Sequence, residues 1–156
     1  MKSDPKDKCI LIIDDDETVL EFLKFTVEKE GFKTLTALDG VSGIEKATSE
    51  KPDLIILDML IPKKSGFEII KTLQSIYTKD IPIIVITGKF GNGHLHNMLQ
   101  NEPNVKDYIL KPVKPAYLLY KIHSILGTIS SEEKAIEEKK KELQAKLAPK
   151  KIDEQQ

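Results

Sequence analysis

Short apolar runs alternate with stretches of helical spacing along most of this chain, and that alternation leaves few folds open. The runs are Cys9–Ile13 (CILII), Phe32–Leu38, Leu54–Leu57 (LIIL), Ile81–Ile86 (IPIIVI) and Val105–Leu110. Three of them are almost continuously apolar, as expected of strands buried on both faces of a parallel sheet. Between them, Thr18–Glu30 places Val19, Leu20, Leu23 and Val27 on one face and meets Gly31 where a helix should end. Val41–Ser49 repeats Ile44 and Ala47 before Pro52; Gly66–Ile76 carries Phe67, Ile70, Leu73 and Ile76; Pro115–Leu126 carries Leu118, Leu119, Ile122, Ile125 and Leu126. Residues 88–104 hold Gly88, Gly91, Gly93 and Pro103, so only a short helix around His94–Gln100 fits there. Strict alternation predicts a doubly wound α/β sandwich on a five-stranded parallel sheet, in which ligands collect at the carboxyl ends of the strands.

Composition narrows the function classes. The 156 residues are 40% hydrophobic, enough for a core, and carry a net charge of -1, so no global basic field attracts nucleic acid or an anionic membrane. Every basic residue is lysine, so a phosphate would be met by ammonium groups, hydroxyls, backbone N–H groups or a metal, never by a guanidinium fork. The lone Cys9 excludes an internal disulfide and fits a reducing, cytoplasmic compartment. The polar start MKSDPKDK lacks the apolar stretch of a secretory signal, and no apolar run reaches the ~20 residues of a membrane span.

The expected organisation is a disordered segment over residues 1–7, a folded domain over 8–127 and a charged, helical tail over 128–156. The tail opens with Ser130 and Glu133 in capping-box spacing. It carries seven lysines and seven acids from Ser131 onward, and apolar residues recur at Ile129, Ile136 and Leu143, with Leu147 adjoining. One apolar residue per heptad is thin for a coiled coil, so a solvated helix, a partner-binding helix and disorder all stay open.

The chemistry should sit after the strands. Asp14-Asp15-Asp16-Glu17 follow the first run, Asp58 the third, Thr87-Gly88 the fourth and Lys111-Pro112 the fifth. Crowded carboxylates at a buried sheet edge are costly unless they are protonated or share a divalent cation. Acids joined by a hydroxyl and a lysine make a hard, oxygen-rich cation site with an anion-binding rim, the inventory for phosphoryl transfer to a carboxylate. Asp16 and Glu17 read as an N-cap and a first-turn acid. His94 and His96 read as solvated loop residues, Cys9 as a small core residue, and His123 has no evident partner.

ILIIDDDETVL, KPDLIILDMLIP with the glycine of KKSG, IPIIVITG and DYILKP, in this order and spacing, resemble the receiver domain of two-component response regulators, a flavodoxin-like fold. ALDGVSGIE at Ala37–Glu45 resembles that family's entry to its second helix. The resemblance covers about Lys8 to Gly127. It implies that Asp58 is the phosphoacceptor and that Asp14 and Asp15, with Asp58 and the backbone carbonyl of Leu60, hold Mg²⁺. It implies that Thr87 donates its hydroxyl to the phosphoryl group, that Lys111 pairs with it, and that the Lys111–Pro112 bond is cis. Tyr108 matches the aromatic switch position, and Leu60 and Lys89 flank the acceptor where the family tunes phosphate loss.

The function expected from this resemblance is a stand-alone receiver, not an enzyme but one that assists its own phosphotransfer and dephosphorylation. Its partners would be a histidine kinase or phosphotransfer protein and an unknown downstream protein, with no nucleic acid and no membrane. The glycine-rich region before Pro103 departs from the family, which normally has a full amphipathic helix there. The alternative is a phosphorylation-independent, receiver-like interaction scaffold. A flavodoxin-like cofactor binder is disfavoured, because no phosphate-cradling glycine loop follows the first strand.

Overall fold

A computed structural model of the chain describes residues 1–59, 65–88 and 94–149. Five strands, β1 (Cys9–Ile13), β2 (Lys33–Ala37), β3 (Leu54–Asp58), β4 (Ile83–Thr87) and β5 (Val105–Leu110), form one parallel sheet in the order β2-β1-β3-β4-β5. Helices α1 (Glu17–Lys29), α2 (Gly40–Glu50), α3 (Gly66–Thr72), α4 (His94–Gln100) and α5 (Pro115–Leu126) connect or follow them, and α6 (Ser131–Leu147) extends from the end of α5.

The inner strands are apolar throughout because alternate residues feed two separate cores. Leu11, Ile13, Ile55, Leu57, Ile83 and Val85 pack on the face carrying Ala47 of α2, Ile69 and Ile70 of α3 and Leu95 and Leu99 of α4. Ile10, Ile12, Leu54, Ile56, Ile84 and Ile86 pack on the opposite face, against Leu20, Leu23 and Val27 of α1 and Leu118 and Ile122 of α5. Strand order reverses direction at β1, so the crevice between the carboxyl ends of β1 and β3 lies uncovered by a crossover.

Local chemistry sets the helix starts. Asp16 caps α1 by accepting from the N–H groups of Thr18 and Val19, Asp39 caps α2 through Ser42 and Ser65 caps α3 through Glu68. Gly31 follows α1 with φ 113°, a conformation that side chains with a Cβ resist.

The structure corrects the sequence reading at three places. The segment over residues 1–7 is ordered: Asp4 caps a short 3-10 turn over Pro5–Asp7, Pro5 is buried, and Ser3 pairs with Thr128 through a parallel bridge. The proline presets the turn and its ring packs by Gly31, so a polar composition concealed an anchored segment. The helix after Ser65 stops at Thr72, leaving Ile76 77% exposed instead of on the apolar face. The Thr78 hydroxyl donates to the Leu73 carbonyl at 2.7 Å, taking the acceptor that a further helical turn would use. Finally, His123 does have partners, Glu30 and Thr128.

Candidate functional site

The parallel register pairs Ile13 with Leu57, so the next residue on each strand, Asp14 and Asp58, emerges at the same edge. Asp15 follows at once, before Asp16 begins α1. The Asp14, Asp15 and Asp58 carboxylates each offer an oxygen within 4.8 Å of the others. Among the described residues, this is the cluster able to hold a metal ion. Asp14 is 1% and Asp58 5% exposed, whereas Asp15 opens to solvent.

Burial pushes the Asp14 carboxyl from an ordinary 3.8 up to about 6, and the charges of Asp58 and Asp15 push the same way. The Asp16 N–H, which donates to Asp14 Oδ1 at 2.9 Å, and the Lys111 ammonium pull against that rise without cancelling it. The apo site thus carries more negative charge than its surroundings support. Its donors are oxygens alone, with no nitrogen or sulfur, so the set suits a small hard dication such as Mg²⁺.

The cationic rim comes from β5. Lys111 Nζ lies 3.2 Å from Asp58 Oδ2, and the Lys111 N–H donates to the Thr87 carbonyl at 2.8 Å, tying the ends of β4 and β5 together. The Lys111–Pro112 bond is cis. Thr87 is fully buried, and its hydroxyl donates to the neighbouring Gly88 carbonyl at 3.2 Å, a long bond for a hydroxyl. Asp14, Asp15, Asp58, Thr87 and Lys111 therefore share one strand edge. Leu60 and Lys89 lie outside the described residues.

Tyr108 is half-buried on β5, opposite Val85, and packs against the core cluster that contains α4. Its ring meets the ring of the exposed His96 edge-on at 5.8 Å between centroids. Two glycines of the quoted motifs, that of KKSG and the second of ALDGVSGIE, pack against residues adjoining the acids. A Cβ on Gly66 would lie 2.9 Å from the Met59 Cα and carbonyl oxygen, and one on Gly43 would lie 2.5 Å from Ile13 Cδ1. The motifs marked these positions without saying what the backbone touches there.

These five side chains, on the carboxyl edge of a parallel sheet at its switch point, define a receiver-type site. The chain belongs to the response regulator receiver domain family, whose sequence pattern matches residues 10–123. It is 35% identical over 119 residues to the alkaline phosphatase synthesis transcriptional regulatory protein PhoP of Bacillus subtilis (strain 168), covering 76% of this chain and 48% of PhoP. A putative response regulator from Chloroflexus aurantiacus is 30% identical, with a TM-score of 0.69 over 76% of this chain and 97% of that one. The receiver domain of a sensor histidine kinase from Pseudomonas aeruginosa PAO1, solved with a magnesium ion coordinated in its active site cleft, has the same fold. Its TM-score is 0.70 at 23% identity, covering 78% of this chain and 98% of that one.

One expectation falls here. The chain spans about half the length of the curated relatives it matches, and these are transcriptional regulatory proteins. The exclusion of nucleic acid as a partner therefore fails: it rested on the charge of these residues, and charge balance within a receiver says nothing about a protein twice as long. Among the described residues, no helix is long and apolar enough to cross a membrane.

Proposed function

We propose that Asp58 accepts a phosphoryl group from a phosphohistidine donor and that this modification switches the affinity of the domain for another protein. The reading is carried by one observation: a buried carboxylate that stands both in a three-acid cluster and 3.2 Å from a lysine ammonium. An Asp58 Oδ attacks phosphorus, the P–N bond to the donor imidazole breaks with its electron pair returning to nitrogen, and an acyl phosphate forms. Water later attacks the same phosphorus and releases phosphate, so the domain assists two reactions of its own carboxylate without turning over a substrate.

Each neighbour has a physical task. Lys111 compensates the oxygens of the incoming phosphoryl group, as it now compensates Asp58. The Thr87 hydroxyl gains a charged acceptor by leaving Gly88 for a phosphoryl oxygen, which pulls the end of β4 toward the site. Asp14 and Asp15, with Asp58, would hold Mg²⁺, which supplies charge neutralisation for the transferring group when bound. Movement at Thr87 frees space beside β5 for Tyr108, whose ring contact with His96 carries the change to α4. We place the protein in the cytoplasm, where its single half-buried thiol would stay reduced.

The test is intact-mass measurement after incubation with a small phosphodonor and Mg²⁺. One phosphoryl group should be added, and Asp58→Asn should abolish the addition. Labelling that survives the substitution puts the acceptor elsewhere, and a protein that takes up neither phosphate nor beryllofluoride is a scaffold instead.

A further inference from the structure

We propose that α6 is a rigid arm whose direction is locked to α1 and α5 by a latch centred on Glu30. The helix buries none of its residues, so the core does not hold it. It persists through its own chemistry: the reciprocal capping box of Ser130 and Glu133, glutamate-to-lysine pairs at 137/141 and 142/146, and no glycine or proline from Ser131 to Leu147. A helix of 17 residues built this way is a rod about 26 Å long.

A rod has a fixed direction only if its base is held from more than one side. Glu30, just past the end of α1, accepts the Ser131 N–H on Oε1 at 2.8 Å and the Ser131 hydroxyl on Oε2 at 3.0 Å. The same Oε1 lies 2.8 Å from His123 Nε2 on α5, and His123 Nδ1 lies 2.7 Å from the Thr128 hydroxyl. One carboxylate thus joins the end of α1, the last turn of α5 and the first residue of α6. Glu30 and His123 side chains are each 10% exposed, so water competes poorly for these bonds. The Ser131 N–H, the His123 ring and the Ser131 hydroxyl together hold the Glu30 carboxyl below its usual range despite burial.

The N-terminal segment braces the other side. Ser3 donates to the Gly127 carbonyl and accepts from the Ile129 N–H, both at 2.9 Å, while Lys2 pairs with Glu133 and Lys134 with Asp4. Most of this brace lies outside the 10–123 stretch that matches the family. A groove of about 580 Å³ lies at the base of the arm, beside Tyr120, His123 and Glu133. The base also rides on α5, the helix that begins four residues after Lys111, so a displacement of α5 would be magnified at the tip.

The measurement is the spin–spin distance distribution between nitroxides at Glu21 on α1 and Lys140 on α6, in the full chain carrying Cys9→Ser. The latched protein should give one narrow peak. Ser131→Pro removes the N–H and hydroxyl that Glu30 accepts, yet proline suits the first position of a helix, so α6 stays helical by circular dichroism. It should broaden the distribution about twofold, as should Glu30→Ala, while Lys141→Ala out on the rod should leave it unchanged. A distribution as broad in the unsubstituted chain as in Ser131→Pro, or one that Ser131→Pro and Glu30→Ala leave narrow, overturns the latch.

Discussion

Lys111 Nζ rests 3.2 Å from Asp58 Oδ2 across 53 residues of sequence, and this contact offsets part of the charge gathered at the three-acid edge. The ammonium also restrains the rise in the Asp14 pKa. Lys111→Met should therefore destabilise the metal-free domain by about 1 kcal/mol after allowance for solvent screening, since the lysine is partly exposed. Added Mg²⁺ should recover most of the loss. Urea titrations at neutral pH, with chelator and then with Mg²⁺, read both values, and an unchanged midpoint in chelator would show that the pair contributes nothing.

Asp14 gives the domain a pH dependence of definite sign. Its carboxyl titrates near 6 in the folded chain against 3.8 in the unfolded one, so between these values the native state holds more protons. Metal-free stability should fall as pH rises from about 4 to above 6, by on the order of 2 kcal/mol from this group. Asp14→Asn should flatten the slope, and so should Mg²⁺, which favours the ionised form. Urea midpoints that rise steadily over that range in chelator, and equally in Asp14→Asn, would contradict the assignment.

Asp15 is the exposed member of the cluster and contributes chiefly charge to it. Asp15→Asn should weaken Mg²⁺ binding at least about tenfold while leaving metal-free stability equal or higher, because one repulsion disappears. Calorimetric titration with Mg²⁺ and a thermal melt in chelator separate the two effects. Normal Mg²⁺ affinity combined with a lower melting temperature would make the residue structural.

Gly66 approaches the backbone of Met59, directly after Asp58. Gly66→Ala would set a methyl 2.9 Å from the Met59 Cα and carbonyl oxygen, atoms that cannot rotate away. A loss of about 1–3 kcal/mol follows from overpacking, together with slower phosphoryl uptake at Asp58. Stability and labelling rate measured on the same preparation check this, and wild-type values of both would show that the turn gives way freely.

Much of this architecture was legible in one dimension. The apolar runs, the Asp16 cap, the Ser130–Glu133 capping box and the helix His94–Gln100 depend on residues a few positions apart, and local periodicity reports them. The meeting of Asp14, Asp15, Asp58, Thr87 and Lys111 was legible for another reason. Parallel strands bring their carboxyl ends to one edge, so residues just after each apolar run must assemble there.

What the folded chain alone decided depends on where distant elements arrive. No local pattern says that Glu30 meets His123 across 93 residues and Ser131 across 101, or that Pro5 settles against Gly31. Ile76 continues the helical spacing of α3, yet Thr78 takes the Leu73 carbonyl and the helix ends before it. Periodicity records which face a residue would occupy if its element continued. Termination, close backbone approach and contacts between the ends of helices are settled by competition for the same hydrogen-bond acceptors and the same space, and that competition exists only once the chain is packed.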